Sequence, residues 1–331
     1  MARFLIAVSL AALTAGSPIS AQPQSATSVA GTAASVDKTG QTEDVRFQNE
    51  PTDRMTVPVL LSGSGPYRFL VDTGSNRTTI SREVATELKF PSGDKATLHT
   101  VAGVSVARTA IVPSLQLTRK PITRVEAPLL ESANMGADGI LGTDMLGSQR
   151  VIFDFDAQTM SIVPASKFDR VVEPGTIVVE ARRRNGRLIV TNARANGKML
   201  TVVLDTGAQI SMGNEALRRK LQNGGLKGQL EKIDLLSVTG DIISGDYMFL
   251  NELEIGGVTL HNLAIVFAPV HTFKQLDLDD KPAILLGMNA MRAFKKVSID
   301  FASRTLRVIV PESSRLDVRV AQETMAREAG R

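Results

Sequence analysis

Two aspartates stand in the same setting at two places in the chain. Asp72 is followed by Thr73, Gly74 and Ser75 after an apolar approach of Phe69, Leu70 and Val71. Asp205 is followed by Thr206, Gly207 and Ala208 after Val202, Val203 and Leu204. The offset between the two triplets is 133 residues. Two carboxyl groups brought to within about 3 Å cannot both ionise cheaply, so such a pair holds one proton and titrates as a unit. One member is then a base and the other an acid, which is the equipment needed to activate water. One such triplet is weak evidence; two in matching surroundings indicate a duplicated site.

The elements around the triplets repeat as well. Upstream of the first, a strand-like run from Met55 to Leu61 meets a turn at Gly63, Ser64, Gly65 and Pro66, and a second run covers Tyr67 to Val71. Upstream of the second, Arg187 to Ala193 meets Asn196 and Gly197, a strong hairpin signal because both residues tolerate positive φ. Asn185 and Gly186 supply another just before. Downstream, Ser81 is placed to cap a short helix through Leu88, and Asn214 to cap one from Glu215 to Leu221. Then come Gly139, Ile140, Leu141, Gly142 in one half and Ala283, Ile284, Leu285, Leu286, Gly287 in the other. Each half closes with a hairpin, Val151–Phe155 into Met160–Val163 and Val297–Phe301 into Leu306–Val310.

This double pattern resembles the pepsin and retropepsin superfamily of aspartic proteases, in its bacterial two-copy, retropepsin-like form, and the resemblance spans residues 51–312. It implies a mainly β fold of two homologous lobes with a cleft between them. Asp72 and Asp205 are then the catalytic carboxylates of an aspartic endopeptidase. Thr73 and Thr206 brace the two loops by hydrogen bonds across the lobe boundary, with Gly74, Ser75, Gly207 and Ala208 supporting the pair. The ionised carboxylate takes a proton from water while its protonated partner polarises the scissile carbonyl, so no metal, cofactor or covalent intermediate is required. The substrate implied is a polypeptide laid extended beneath a hairpin flap. Flap candidates are Val101, Gly103 and Val104 in the first half and Val238, Gly240 and Ile242 in the second. The expected arrangement is a monomer whose lobes pair within one chain; pairing between chains in a homodimer is the alternative. A catalytically silent two-lobed protein that binds peptides or an envelope partner is the rival function.

The loops differ after the glycines. Ser75 offers a hydroxyl to the ionised form of Asp72 and Ala208 has none, so the shared proton is expected on Asp205.

Bulk features narrow the rest. The absence of cysteine among 331 residues excludes disulfides, thiolate nucleophiles and thiolate metal sites. A net charge of +4 spread over both halves is too mild to argue for nucleic acid. Scarce aromatics with abundant Val, Ile, Leu, Thr and Gly suit strands and tight turns. Residues 1–21 have a signal-peptide layout whose apolar stretch is short for a stable membrane span, giving an exported, periplasmic or extracellular protein. Residues 22–50 read as a flexible leader or short pro-segment, 51–165 and 176–312 as the lobes, and 313–331 as a polar tail. His99, His261 and His271 lack metal-ligand spacing. Asp277, Asp279 and Asp280 read as a solvated loop, Arg182 to Arg184 as a solvated strand end, Asp154 and Asp300 as a duplicated turn, and Asp138 as a loop hydrogen-bonding residue.

Overall fold

The computed structural model describes residues 43–46, 48–49, 55–117, 121–165, 173–224 and 230–311. The signal segment, most of the leader and the tail lie outside them. The chain is mainly β, as expected, and the repeat in the sequence is a repeat in space.

Each half builds one eight-stranded sheet, and the strand order is the same in both. In the first half the order is 48–49, 55–61, 64–71, 139–141, 79–81, 122–130, 104–116, 92–99. In the second it is 182–184, 187–195, 198–204, 283–286, 211–213, 258–267, 242–255, 231–236. The strand leading into each aspartate is therefore central. Ser64–Val71 pairs in parallel with Gly139–Leu141, and Lys198–Leu204 pairs in parallel with Ala283–Leu286. Strands with neighbours on both edges and both faces are long apolar runs, and Phe69, Leu141, Val202, Val203, Leu204, Ile284 and Leu285 are all buried.

Local chemistry fixes the connections. Asn196–Gly197 and Asn185–Gly186 both take positive φ at both residues, the geometry of a two-residue hairpin turn. The first lobe's hairpin turns at Ser62 and Gly63, also at positive φ, so its second strand starts earlier than the sequence suggested. Ser81 accepts a hydrogen bond from Val84 N and caps the helix Arg82–Glu87. Asn214 does the same for Glu215–Gln222 through Leu217 N.

The two closing hairpins merge into a third, six-stranded sheet that joins the lobes. Gln149–Asp154 runs antiparallel to Lys296–Asp300, with Val151 opposite Ile299 and Phe153 opposite Val297. Glu43–Arg46, in the stretch assigned to the leader, adds an edge strand opposite Thr159–Ile162. Thr176–Glu180 forms the other edge. Across this sheet Arg150 donates to Asp300 from Nε and Nη2 at 3.1 and 2.8 Å, with both residues buried. Asp154 accepts from Ala157 N, and Asp300 from Ala302 N and Ser303 N, so both order a turn. Asp138 accepts from Arg68 N. Arg182–Arg184 is a largely exposed edge strand, and Asp277, Asp279 and Asp280 are exposed. No helix among the described residues is long and apolar enough to cross a membrane.

Candidate active site

The two triplets meet where the lobes face each other. Each aspartate ends a central strand, and the apolar-apolar-glycine segment alongside holds the following loop. Asp72 N donates to Leu141 O, and Thr143 N donates to Ser75 O. In the second lobe Asp205 N donates to Leu286 O, and Met288 N to Ala208 O. Gly142 and Gly287 are glycine because a Cβ there would strike the backbone of Arg77 or of Ile210.

The threonines interlock across the boundary. Thr73 Oγ1 donates to Leu204 O at 3.1 Å and accepts from Thr206 N at 3.1 Å. Thr206 Oγ1 donates to Val71 O at 2.7 Å and accepts from Thr73 N at 3.0 Å. Both side chains are buried, so every one of these backbone groups depends on a hydroxyl of the opposite lobe.

The carboxyl groups of Asp72 and Asp205 face one another across the lobe boundary, each against the glycine of the opposite loop. Asp72 Oδ1 accepts from Gly74 N and Ser75 N at 2.7 and 3.0 Å, and Asp205 Oδ1 accepts from Gly207 N and Ala208 N at 3.1 and 3.2 Å. The glycines are required by contact: a Cβ on Gly74 would lie 2.5 Å from Asp205 Oδ1, and one on Gly207 would collide with the Asp72 carboxyl.

Burial pushes both carboxyls above the usual carboxylate range, opposed by the backbone donors and by the nearby Arg187. Asp205 is pushed up to about 7, first by burial and then by the negative charge of Asp72. Both directions are those of a pair that holds one proton between its two members, and the hydroxyl expected to bias that proton toward Asp205 is engaged elsewhere. The Ser75 hydroxyl does not reach Asp72; it donates to Arg77 O at 2.8 Å. Only the Ser75 backbone N–H serves the carboxylate, and Ala208 supplies the same group to Asp205. The Ser75/Ala208 difference therefore gives no reason for the proton to favour one side.

Above the pair lies a cavity of about 360 Å³ with an apolar wall that includes Leu98, Leu130, Ile140, Ile210, Met212 and Ile233. Two hairpins roof it. The first, Ser92–His99 with Val104–Gln116, turns at 100–103, where Thr100 N donates to Gly103 O. The second, Glu231–Leu236 with Ile242–Ile255, turns at 237–241, where Ser237 N donates to Asp241 O. Each tip reaches over to the other lobe. Val101 and Ala102 pack on the apolar cluster of the second lobe, and Val238 packs on that of the first. Val101 O accepts from His271 N at 2.9 Å, and His99 Nδ1 lies 3.1 Å from His271 Nε2 with the rings stacked. Gly240 sits against Asn134.

Of the flap candidates, Val101 and Val238 line the cavity. Val104 and Ile242 do not; they are 56% and 66% exposed and face outward. Successive strand residues point to opposite faces, so the first residue after each tip turns away from the cleft. Gly103 and Gly240 shape the tips at positive φ without lining the cavity.

Two participants escaped the sequence reading. The His99–His271 contact joins residues 172 positions apart and has no local signal. Arg187 is buried, lines the cavity, and donates from Nε to Gly74 O at 2.7 Å and from Nη1 to Gln275 Oε1 at 2.8 Å. Its signal was a lone charge heading the apolar strand Leu188–Val190. Among the described residues, no cluster of three or more His, Cys, Asp or Glu is arranged to hold a metal ion.

No curated protein matches the chain. The family model described as aspartyl protease matches it twice, over residues 57–145 and 191–290. Each match contains one of the two Asp-Thr-Gly loops, and together they cover more than half of the sequence. With the paired loops, the interlocked threonines and the duplicated sheets, this means that the chain belongs to the aspartyl protease family.

Proposed function

We propose that the protein is an aspartic endopeptidase in which Asp72 and Asp205 share one proton and activate water for attack on a peptide bond. The observation that carries this reading is the facing pair of carboxyls, Asp205 buried and Asp72 half-buried, at the floor of a roofed apolar cleft. The ionised Asp72 accepts a proton from the attacking water as its oxygen bonds to the scissile carbon. Asp205, holding the shared proton, donates to the carbonyl oxygen and so removes charge from the developing gem-diol. Collapse of the gem-diol returns a hydroxyl proton to the pair and passes one proton to the leaving nitrogen, which leaves one proton on the dyad for the next cycle. The backbone N–H groups of Gly74, Ser75, Gly207 and Ala208 fix both carboxyls throughout, so little reorganisation accompanies the transfers.

The cleft suits an extended polypeptide. Apolar residues on both sides of the dyad favour apolar side chains flanking the cut, and the hairpin edges offer main-chain groups. The flap tips rest on the opposite lobe, so a chain enters only when they lift. The signal-peptide layout at the N-terminus supports an exported enzyme.

The test is cleavage of a denatured protein mixture from pH 3 to 8 by the chain freed of residues 1–21, beside Asp72→Asn and Asp205→Asn, with and without pepstatin. Cutting that is abolished in both variants and by pepstatin is expected. No cutting by the folded parent at any pH would leave a peptide-binding cleft instead.

A further inference from the structure

A singly protonated dyad carries one negative charge in a buried site, and a buried charge is costly unless paired. Backbone N–H groups supply partial compensation only. Among the described residues lining the cavity, Arg187 is the one Lys or Arg. It enters from the head of the strand Arg187–Ala195, directly after the Asn185–Gly186 turn. Two of its nitrogens are committed: Nε to the carbonyl of Gly74, inside the first Asp-Thr-Gly loop, and Nη1 to Gln275 at the end of the helix His271–Gln275. The guanidinium is thus held rigidly beside the pair by a planar fork, and lysine has no equivalent geometry.

We propose that Arg187 is a positioning residue for the dyad: clamped between Gly74 and Gln275, it braces the first Asp-Thr-Gly loop and is the fixed counter-charge of the Asp72–Asp205 monoanion. This deepens the endopeptidase reading and rests on it for the meaning of the pair. The interaction is mutual. Burial alone works against the charged form of all three groups; the arginine opposes that at both carboxyls, and both carboxyls oppose it at the arginine. The site as a whole is then close to neutral, with one proton on the dyad and one positive charge beside it.

The other titratable groups facing Arg187 come from the helix and the first flap. His271 feels its charge, Lys274 follows on the same helix, and His99 stacks on His271. A charged His271 would act on the dyad in the same direction as Arg187, so the arginine's effect has to be read with that ring removed as well.

The measurement is a carbon-13 NMR titration of the Asp72 and Asp205 carboxyl carbons in the chain freed of residues 1–21. Wild type, Arg187→Met, Arg187→Lys and Arg187→Met with His271→Gln are compared, alongside the pH profile of cleavage. Loss of the arginine is expected to raise both steps of the pair by roughly one pH unit or more, the scale of a nearby cation's effect on a carboxylate. Arg187→Lys, which keeps the charge without the fork, recovers only part of that displacement, and the rise persists without His271. If Arg187→Met does not fold, Arg187→Gln, which keeps an N–H for the Gly74 carbonyl, carries the same expectation. Steps that stay in place in a folded neutral variant overturn the proposal, even where catalysis falls, because bracing alone would lower activity without moving them. The two readings separate cleanly. A wild type that cuts nothing but whose carboxyl steps follow residue 187 removes the endopeptidase and keeps the counter-charge; a wild type that cuts with a profile indifferent to residue 187 does the reverse.

Discussion

Replacing Thr206 by valine removes a hydroxyl and leaves the shape of the side chain almost unchanged. In the folded protein that hydroxyl donates to Val71 O at 2.7 Å and accepts from Thr73 N at 3.0 Å, and Thr206 is buried. The variant therefore strands a carbonyl and an N–H of the other lobe. Each buried polar group left without a partner costs about 1–3 kcal/mol, which gives roughly 2–6 kcal/mol for Thr206→Val. Against a net stability of about 5–15 kcal/mol for a typical folded protein, that is a large fraction. Thr206→Ser keeps the hydroxyl and loses only a methyl group, so it should cost about 1 kcal/mol or less. The assay is urea unfolding followed by far-ultraviolet circular dichroism, comparing midpoints at a shared slope. Thr73→Val should behave like Thr206→Val, because its hydroxyl makes the mirror-related bonds to Leu204 O and Thr206 N. A Thr206→Val variant within about 0.5 kcal/mol of Thr206→Ser would refute the account of the threonines as the sole partners of those backbone groups, since it leaves no room for the desolvation cost.

Other consequences are open to direct measurement. Gly207→Ala places a Cβ against the Asp72 carboxyl; cleavage should fall by on the order of 100-fold for a displacement near 1 Å, measured as kcat/KM on a peptide the parent cuts. Arg150→Met leaves Asp300 buried without its cation, at a cost of about 3–5 kcal/mol near neutral pH. Although burial works to raise the Asp300 carboxyl, the Ser303 donors and Arg150 hold it below its ordinary value. Its contribution is thus present above the unfolded value and lost as pH falls, so the stability gap between parent and variant should close below about pH 4. At the first flap, burial and then the neighbouring His99, Lys274 and Arg187 keep His271 below the usual histidine range. A lowered histidine stabilises only while neutral, so the docked tip should loosen as pH falls below about 6.5. Faster amide exchange across residues 100–103 at pH 5 than at pH 7.5, and a flat response in His271→Gln, is the expected pattern; a parent with no pH response would contradict it.

What was legible in the sequence is what short stretches of chain determine. Asn185, Gly186, Asn196 and Gly197 announce their turns because positive φ is cheap there and nowhere nearby. Ser81 and Asn214 announce helix starts because a cap needs only an N–H three residues on. The duplicated triplets were visible because both loops keep the same residues under the same steric demand. Contacts made over long separations were not legible. Nothing near His99 signals that a ring 172 residues later will stack on it. The two closing hairpins read as copies of one another, yet their pairing into one sheet depends on how the lobes come together. Ser75 was given a side-chain bond to Asp72 on proximity in sequence, whereas a carbonyl two residues ahead, at Arg77, takes its hydroxyl. Val104 and Ile242 were assigned to the cleft from their place in the flaps, and strand alternation turns them to the outside.

The six-stranded sheet made from both closing hairpins bears on how the molecule behaves at high dilution. A cleft assembled from two separate chains comes apart when its concentration drops below the dissociation constant of the pair. Here each half holds the other in a continuous hydrogen-bonded ladder, and the peptide chain itself ties them, so the effective concentration of one lobe around the other is on the order of millimolar or above whatever the bulk value. At any dilution the folded chain keeps its two aspartates together. The same tether fixes which half meets which. Drift in one lobe, such as the exchange of Ser75 for Ala208 at matching positions, is therefore never tested against a second copy of itself.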